Sequence, residues 1–326
     1  MTGDIEVDII LNLKKAQRYM TPAELGAACG AAEAEVRDAI AELSARGYRI
    51  DHAPGDGYRL MDTPDGIDGA GIRSDLHGKV FGTEVFTFGR VTSTNDVAVS
   101  LARGGSPEGT LVIAEEQARG RGRLGRVWFS PPGCGLWFSL ILRPGMSAGE
   151  SATISLAAAA GVAESLDSGY GIRAQIKWPN DVLVGGKKIC GILTEAEFVD
   201  QRVSFVVVGI GINVLTGRDQ FPDGIADIAT SVAIETGGKV SRTGVLARVV
   251  GAIEENYIEL RDSGFAGLRE KLLLRSALLG KMTRVKTPEG IVEGVAVDID
   301  IGGALLLRRE NGSTERLVAG EVTGIV

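Results

Sequence analysis

Two apolar, β-branched runs, TLVIAEEQ (110–117) and LWFSLIL (136–142), are joined by a loop containing GRGRLG (120–125) and PPGCG (131–135). GRGRLG matches the G-x-G-x-x-G pattern of a dinucleotide site letter for letter. That pattern needs a strand before it, a helix starting inside it and an acidic residue about 20 positions later for the ribose. The strand is present. Pro131, Pro132 and two further glycines stand where the helix should begin, and the chain resumes as a strand. No Asp or Glu occurs between Glu116 and Glu150, so the ribose acid is missing too. The glycine–lysine ending of a P-loop is also absent. A doubly wound nucleotide fold is excluded. What remains is a cationic strand-to-strand loop with Arg119, Arg121, Arg123 and Arg126. Taken alone it reads most simply as a solvated basic loop. Glycines alternating with arginines, followed at once by Trp128 and Phe129, supply charge and a stacking surface together, which suits a small anion or phosphate ester.

Three segments are expected along the 326 residues. In the first, DIILNLKKAQRYM reads as a helix, and TPAELGAACG opens with a capping box, Thr21 as N-cap and Glu24 three residues on. A third helix, EAEVRDAIAELSARG, places Val36, Ile40 and Leu43 on one face and stops at Gly47. YRIDHA and YRLM flank PGDG as a hairpin, which makes residues 1–63 a winged helix-turn-helix. Residues 64–77 are glycine-rich and read as a linker. Residues 78–277 mix strands with helices expected at Thr94–Ala102, Ser151–Leu166 and Thr243–Leu260, and predict a mixed, largely antiparallel sheet with packed helices. Residues 278–326 are short strands and turns, read as a small β-barrel. The class is α+β.

Composition narrows the chemistry. Cys29, Cys134 and Cys190 have neither metal spacing nor an even count, and His52 and His77 are the only histidines. A metal site formed by protein ligands, a disulfide framework and a histidine-centred catalyst are therefore not indicated. No apolar run approaches the roughly 20 residues of a membrane span, and the acidic start MTGDIEVD is unlike a secretory signal, so a cytoplasmic protein is expected. The net charge of −7 argues against nucleic acid as partner of the whole surface, though not of one patch.

VTSTND (91–96), EEQARGRGRLGRVWFSPPGCGLWFSL (115–140), IKWPNDVLVGGKKICGILTE (176–195) and VVGIGINV (207–214) together resemble the biotin–protein ligases. The N-terminal segment resembles that of the bifunctional form, which is also a biotin operon repressor. The resemblance implies a class II synthetase-like catalytic domain followed by an SH3-like barrel. It implies activation of biotin by ATP, with Mg²⁺, to biotinyl-5′-AMP, and transfer to a lysine of the biotin carboxyl carrier domain of acetyl-CoA carboxylase or a similar carboxylase. Operator DNA and a second copy of the chain are further partners it allows. Ser93, Thr94 and Gln117 are suitable neutral groups for a ureido ring. The resemblance adds Asn95 and the backbone of Arg121, Gly122 and Arg123. It places Lys177 against the biotin carboxylate and the α-phosphate, with Arg123 as the second catalytic cation. Arg121, Arg123, Trp128 as an adenine platform, Lys177, Lys187 and Asn213 complete the adenylate site, with Lys188 nearby.

Neither half of that reaction demands an enzyme nucleophile; both demand positioning and positive charge. The glycine-rich loop then acts as a lid over a reactive anhydride. Ser93–Asn95 also suit a helix cap, and Trp178 suits the core. An acyltransferase with a cysteine nucleophile is disfavoured, because Cys190 lies in the apolar ICGIL run and Cys134 in a turn without a nearby histidine. A non-catalytic biotin-sensing regulator is the alternative, against which Lys177 and Arg123 speak. For DNA, Arg37 is the one early cation of the third helix, beside Glu33, Glu35 and Asp38. Residues 1–62 hold seven cations and eleven acids, a net of 7 − 11 = −4, which suits phosphate contacts poorly.

Overall fold

The computed structural model describes residues 5–325 apart from 46, 63–65, 148, 200 and 201. These form two compact units, Met1–His77 and Gly78–Val326.

The smaller unit contains α1 (Ile5–Ala16), α2 (Pro22–Cys29), α3 (Glu33–Ala45) and an antiparallel hairpin of β1 (Arg49–Ala53) and β2 (Gly57–Asp62). Ile9, Ile10 and Leu13 of α1 recur at helical spacing and close over Leu25, Val36, Ile40 and Leu43. The capping box at α2 forms as expected. Thr21 Oγ1 accepts from the Glu24 backbone N–H at 3.2 Å, and Glu24 accepts from the Thr21 N–H at 2.8 Å. The stretch expected as a linker differs in part. Residues 64 and 65 lie outside the described set, but α4 (Gly69–Asp75) follows, with Asp68 as N-cap accepting from Gly71 N at 2.9 Å. Ala70 and Ile72 are buried, and the Tyr48 hydroxyl donates to Asp68 at 2.7 Å. Glycines signal a loop only where no tertiary surface selects a helix, and here a core and a cap do.

The larger unit is built on one seven-stranded sheet ordered β3-β4-β5-β9-β8-β7-β6. Its strands are β3 (Val85–Val91), β4 (Leu111–Gln117), β5 (Gly135–Leu142), β6 (Gln175–Lys177), β7 (Asp181–Val184), β8 (Lys187–Val199) and β9 (Arg202–Asn213). β3 and β4 run parallel, joined through α5 (Thr94–Arg103), and every other pair is antiparallel. β5 is buried along its whole length because the sheet is covered on both faces. α6 (Ala152–Tyr170), short α7 (Val232–Thr236), α8 (Arg242–Ser263) and α9 (Ala266–Leu274) complete the helices. Near the centre, Leu246, Val249, Val250, Ile253 and Tyr257 of α8 are buried at the expected spacing.

The C-terminal strands are β10 (Met282–Thr287), β11 (Gly290–Ile299), β12 (Leu305–Arg308), β13 (Thr314–Leu317) and β14 (Glu321–Ile325). They form an antiparallel sheet ordered β13-β12-β11-β10-β14. The expected barrel is not closed. Four-residue β13 ends one edge, and residues 318–320 carry the chain to the opposite edge, so no ladder joins β13 to β14. The Trp178 indole N–H donates to the Gly303 carbonyl at 2.9 Å and ties this sheet to the KWPND turn, which agrees with a core role for that tryptophan.

Phe138 sits fully buried at the middle of β5. Phe138→Ala should destabilise the larger unit by about 3–5 kcal/mol, read from the urea midpoint at unchanged m-value.

Candidate functional site

Strand β9 carries VVGIGIN, with Gly209 and Gly211 two residues apart and so on one face. Across β5, Ser139 lies opposite Gly209 and Trp137 opposite Gly211. Across β8, Leu193 lies opposite Gly209 and Gly191 opposite Gly211. The centre of this face is therefore bare backbone, and the side chains of Asn95 and Trp128 rest on it. A Cβ at Gly209 would fall 2.1 Å from Asn95 Oδ1, and one at Gly211 2.3 Å from Trp128 Nε1. Any side chain at either position would displace the group above it.

The first row is a cluster of hydrogen-bonded polar side chains. Ser93 is the N-cap residue of α5 but makes no side-chain cap bond. Buried Thr94 donates its backbone N–H to Gln117 Oε1 at 2.9 Å, and its hydroxyl reaches the same oxygen at 3.2 Å. Ser139, fully buried beneath them, donates to Asn95 Oδ1 at 2.7 Å and lies 2.8 Å from Thr94 Oγ1. Asn95 Nδ2 donates to Glu195 at 2.6 Å.

The second row holds Trp128. Its ring meets Trp137 edge to face at 6.4 Å, and Lys188 Nζ lies 5.1 Å from its centroid. Lys188 also pairs with Asp181 at 2.6 Å, so the cation over the ring is held from the WPND turn. The lid is a tight hairpin. Gly122 N–H donates to Arg126 O at 2.7 Å, Trp128 N–H to Gly120 O at 2.8 Å, and Arg121 bridges to Val127. Its arginines reach three different anchors. Arg121 pairs with Asp96 at 2.7 Å and Glu195 at 3.1 Å, Arg126 pairs with Glu321 of β14, and Arg123 Nη1 donates to Asn180 Oδ1 at 3.2 Å. Of these three, Arg123 alone meets a neutral partner. Lys177, at the end of β6, shares with Arg123 the fields of Asp181 and Glu321. Burial pulls the Lys177 ammonium below its ordinary value, with Asp181 opposing, and burial works against the Arg123 charge as well.

The larger unit matches two family models. One is the Biotin/lipoate A/B protein ligase family over residues 87–213, the other the Biotin protein ligase C terminal domain over 278–323. The bifunctional ligase/repressor BirA of Bacillus spizizenii is 38% identical over 315 residues, covering 96% of each chain. The biotin–[acetyl-CoA-carboxylase] ligase of Paracoccus denitrificans is 38% identical, over 68% of this chain and 93% of its own length. The solved Aquifex aeolicus biotin protein ligase, in complex with biotin and ATP, is 31% identical at a TM-score of 0.65, over 74% of this chain and 98% of its own.

The chain belongs to the biotin–protein ligase family.

In this ligase the sequence-derived residues fall into two linked groups. Ser93, Thr94, Asn95 and Gln117 meet at the start of α5 and the end of β4. Lys177, Arg123 and Trp128 surround the WPND turn through Asn180, Asp181 and Lys188. Lys187 opens β8, yet its neighbour Lys188 is the lysine lying on Trp128. Asn213 is tied to backbone, donating to Thr230 O at 3.0 Å. Arg37 belongs to the smaller unit and pairs with Glu33 at 2.8 Å. Ser130, Ser139, Asn180 and Glu195 lie inside the motif stretches 115–140 and 176–195 but had no role assigned to them from the sequence. The alternate glycines of VVGIGIN were the available clue, since period-two glycine in a buried strand marks a close approach. Cysteine chemistry finds no support: Cys190 is fully buried, and burial pushes its thiol far up.

A lysine whose folded pKa lies below its unfolded value weakens the fold while protonated. Stability then rises with pH from the folded value toward about 10.4. Lys177→Met should melt at a higher temperature than wild type near neutral pH, and thermal scans should show that gap narrowing toward about pH 10. A constant gap would contradict the burial effect at Lys177.

Proposed function

We propose that this chain is an ATP-dependent biotin–protein ligase that forms biotinyl-5′-AMP and passes the biotinyl group to a lysine of a carboxylase carrier domain. One juxtaposition carries the reading. Lys177 stands beside the WPND turn, Arg123 reaches Asn180 of that turn from the lid, and the base of the lid is hydrogen-bonded through Ser130 to the Thr94–Gln117 cluster. A neutral pocket of donors and acceptors suits a ureido ring, and paired cations suit a carboxylate meeting a phosphate. In the first step a carboxylate oxygen attacks the α-phosphorus and pyrophosphate leaves. In the second the acceptor ε-amine attacks the acyl carbon and AMP leaves, its proton passing to solvent. Lys177 offsets the negative charge that accumulates on the α-phosphoryl oxygens, and burial strengthens that effect. Trp128 supports the adenine and Arg123 closes on the adenylate.

Mg²⁺ accompanies ATP, held by phosphate oxygens and water. Among the described residues no three His, Cys, Asp or Glu side chains converge, and Asp181, the carboxylate nearest Lys177 and Arg123 in effect, is already engaged by Lys188. No described helix is long and apolar enough to cross a membrane. The domain reading is a winged helix-turn-helix over 1–63, the catalytic domain over 78–277, and an SH3-like segment from 278.

Lys177→Ala should fold and lose biotin-dependent ATP–pyrophosphate exchange by at least about 10²-fold, the scale of one preorganised charge. Wild-type exchange in that variant would remove Lys177 from the chemistry.

The relatives named ligase/repressor point to operator DNA as a second partner, and we infer biotinyl-AMP, the ligase's own intermediate, as the co-repressor. The smaller unit meets that role with its cations largely committed: Arg37 to Glu33, Arg18 to Glu24, Arg49 to Asp62 and Lys14 to Asp75. A phosphate contact by any of these four must first break its pair. With biotin and ATP present, gel shifts on the chain's own upstream DNA at physiological salt should therefore show weak retardation, nearer the non-specific range of about 10⁻⁴–10⁻⁶ M. Tight, sequence-specific retardation would show that a few base contacts outweigh the charge.

A further inference from the structure

Ser130 lies between the two rows of the site, 5% exposed, and connects them. The connection has one polarity. The Thr94 backbone N–H can only donate, so the oxygen of the Gln117 amide must face it, and that oxygen also lies within reach of the Thr94 hydroxyl. The amide nitrogen therefore faces the other way and donates to Ser130 Oγ at 3.0 Å. Ser130 has one proton, which it gives to the Trp128 carbonyl at 3.0 Å. Both lone pairs of the Gln117 oxygen are thus occupied, while its nitrogen keeps one N–H. What Gln117 can offer a ligand is a donor, which suits a carbonyl oxygen such as that of a ureido ring. Gly120 encloses this crossing: a Cβ there would fall 2.5 Å from both Ser130 Oγ and Trp128 O and 3.1 Å from Gln117 Nε2.

We propose that Ser130 is a positioning residue that fixes the donor face of Gln117 and the backbone of Trp128 together, so that filling the polar pocket and seating the adenine platform are coupled through one hydroxyl. The coupling rests on the ligase reading for the identity of the two ligands. A buried hydroxyl lost from the crossing leaves Gln117 Nε2 and the Trp128 carbonyl each without a partner, so both substrates feel its removal.

The test uses the full chain and pyrophosphate exchange, with indole fluorescence as a second readout. Ser130→Ala should raise KM for biotin and KM for ATP, each about tenfold, the scale of one hydrogen bond, with kcat within about threefold. Gly120→Ala removes no polar group but crowds the same crossing, and should show the same double rise. In wild type, biotin alone should change indole emission, Trp128→Phe should identify the responding ring, and Ser130→Ala should abolish the response. A rise in one KM without the other, or an intact response in Ser130→Ala, overturns the coupling while leaving the ligase reading standing. A wild-type chain with no biotin-dependent exchange overturns the ligase reading and this proposal with it.

Discussion

The site depends on a stretch of sheet with no side chains. Gly191, Gly209 and Gly211 leave bare backbone at the centre of the β8–β9 pair, and the groups above it come closer than any Cβ would permit. Asn95 occupies the space over Gly209 and is held there by Ser139 from the neighbouring strand. Trp128 occupies the space over Gly211 and Gly191 and is held by Lys188 and Trp137. On the other face of the same strand, Ile210 and Ile212 are buried in the core. One strand thus packs the core with its even-numbered residues and leaves its odd-numbered glycines to Asn95 and Trp128, because side chains alternate with period two. A helix could not divide the two tasks so cleanly at adjacent residues.

Charge is arranged with the same economy. Arg121 is paired with Asp96 and Glu195, Arg126 with Glu321, and Lys188 of β8 with Asp181, so two of the loop's four arginines are held by acids. Burial works against the charge of both Lys177 and Arg123, and Asp181 and Glu321 oppose it. Cations held in this state act more strongly on a developing negative charge than solvated ones, since less water must reorganise. The anchor at Glu321 also brings the C-terminal sheet to the lid, which gives that sheet a place in the site without a motif of its own.

The smaller unit follows a different balance. Its fold rests on a compact apolar core of three helices, independent of surface charge. Its surface carries the excess of acids, and the pairing of its cations is a consequence of that excess.

The sequence alone determined the local facts. Periodicity placed α5, α6 and α8 within a few residues, the capping box placed α2, and the missing helix after GRGRLG excluded a dinucleotide fold, since each of these depends on neighbours in the chain. Motif resemblance supplied the site list, including Lys177, Arg123, Gln117 and Trp128. Tertiary structure alone decided the rest. It made a helix of the glycine-rich stretch at 69–75, because a buried face and a cap outweighed propensity. It left the C-terminal sheet open, because closure depends on where two distant edges end. It assigned Ser130, Ser139 and Lys188 their places, and turned Asn213 to the backbone, because hydrogen-bond partners come from strands whose register no local pattern encodes.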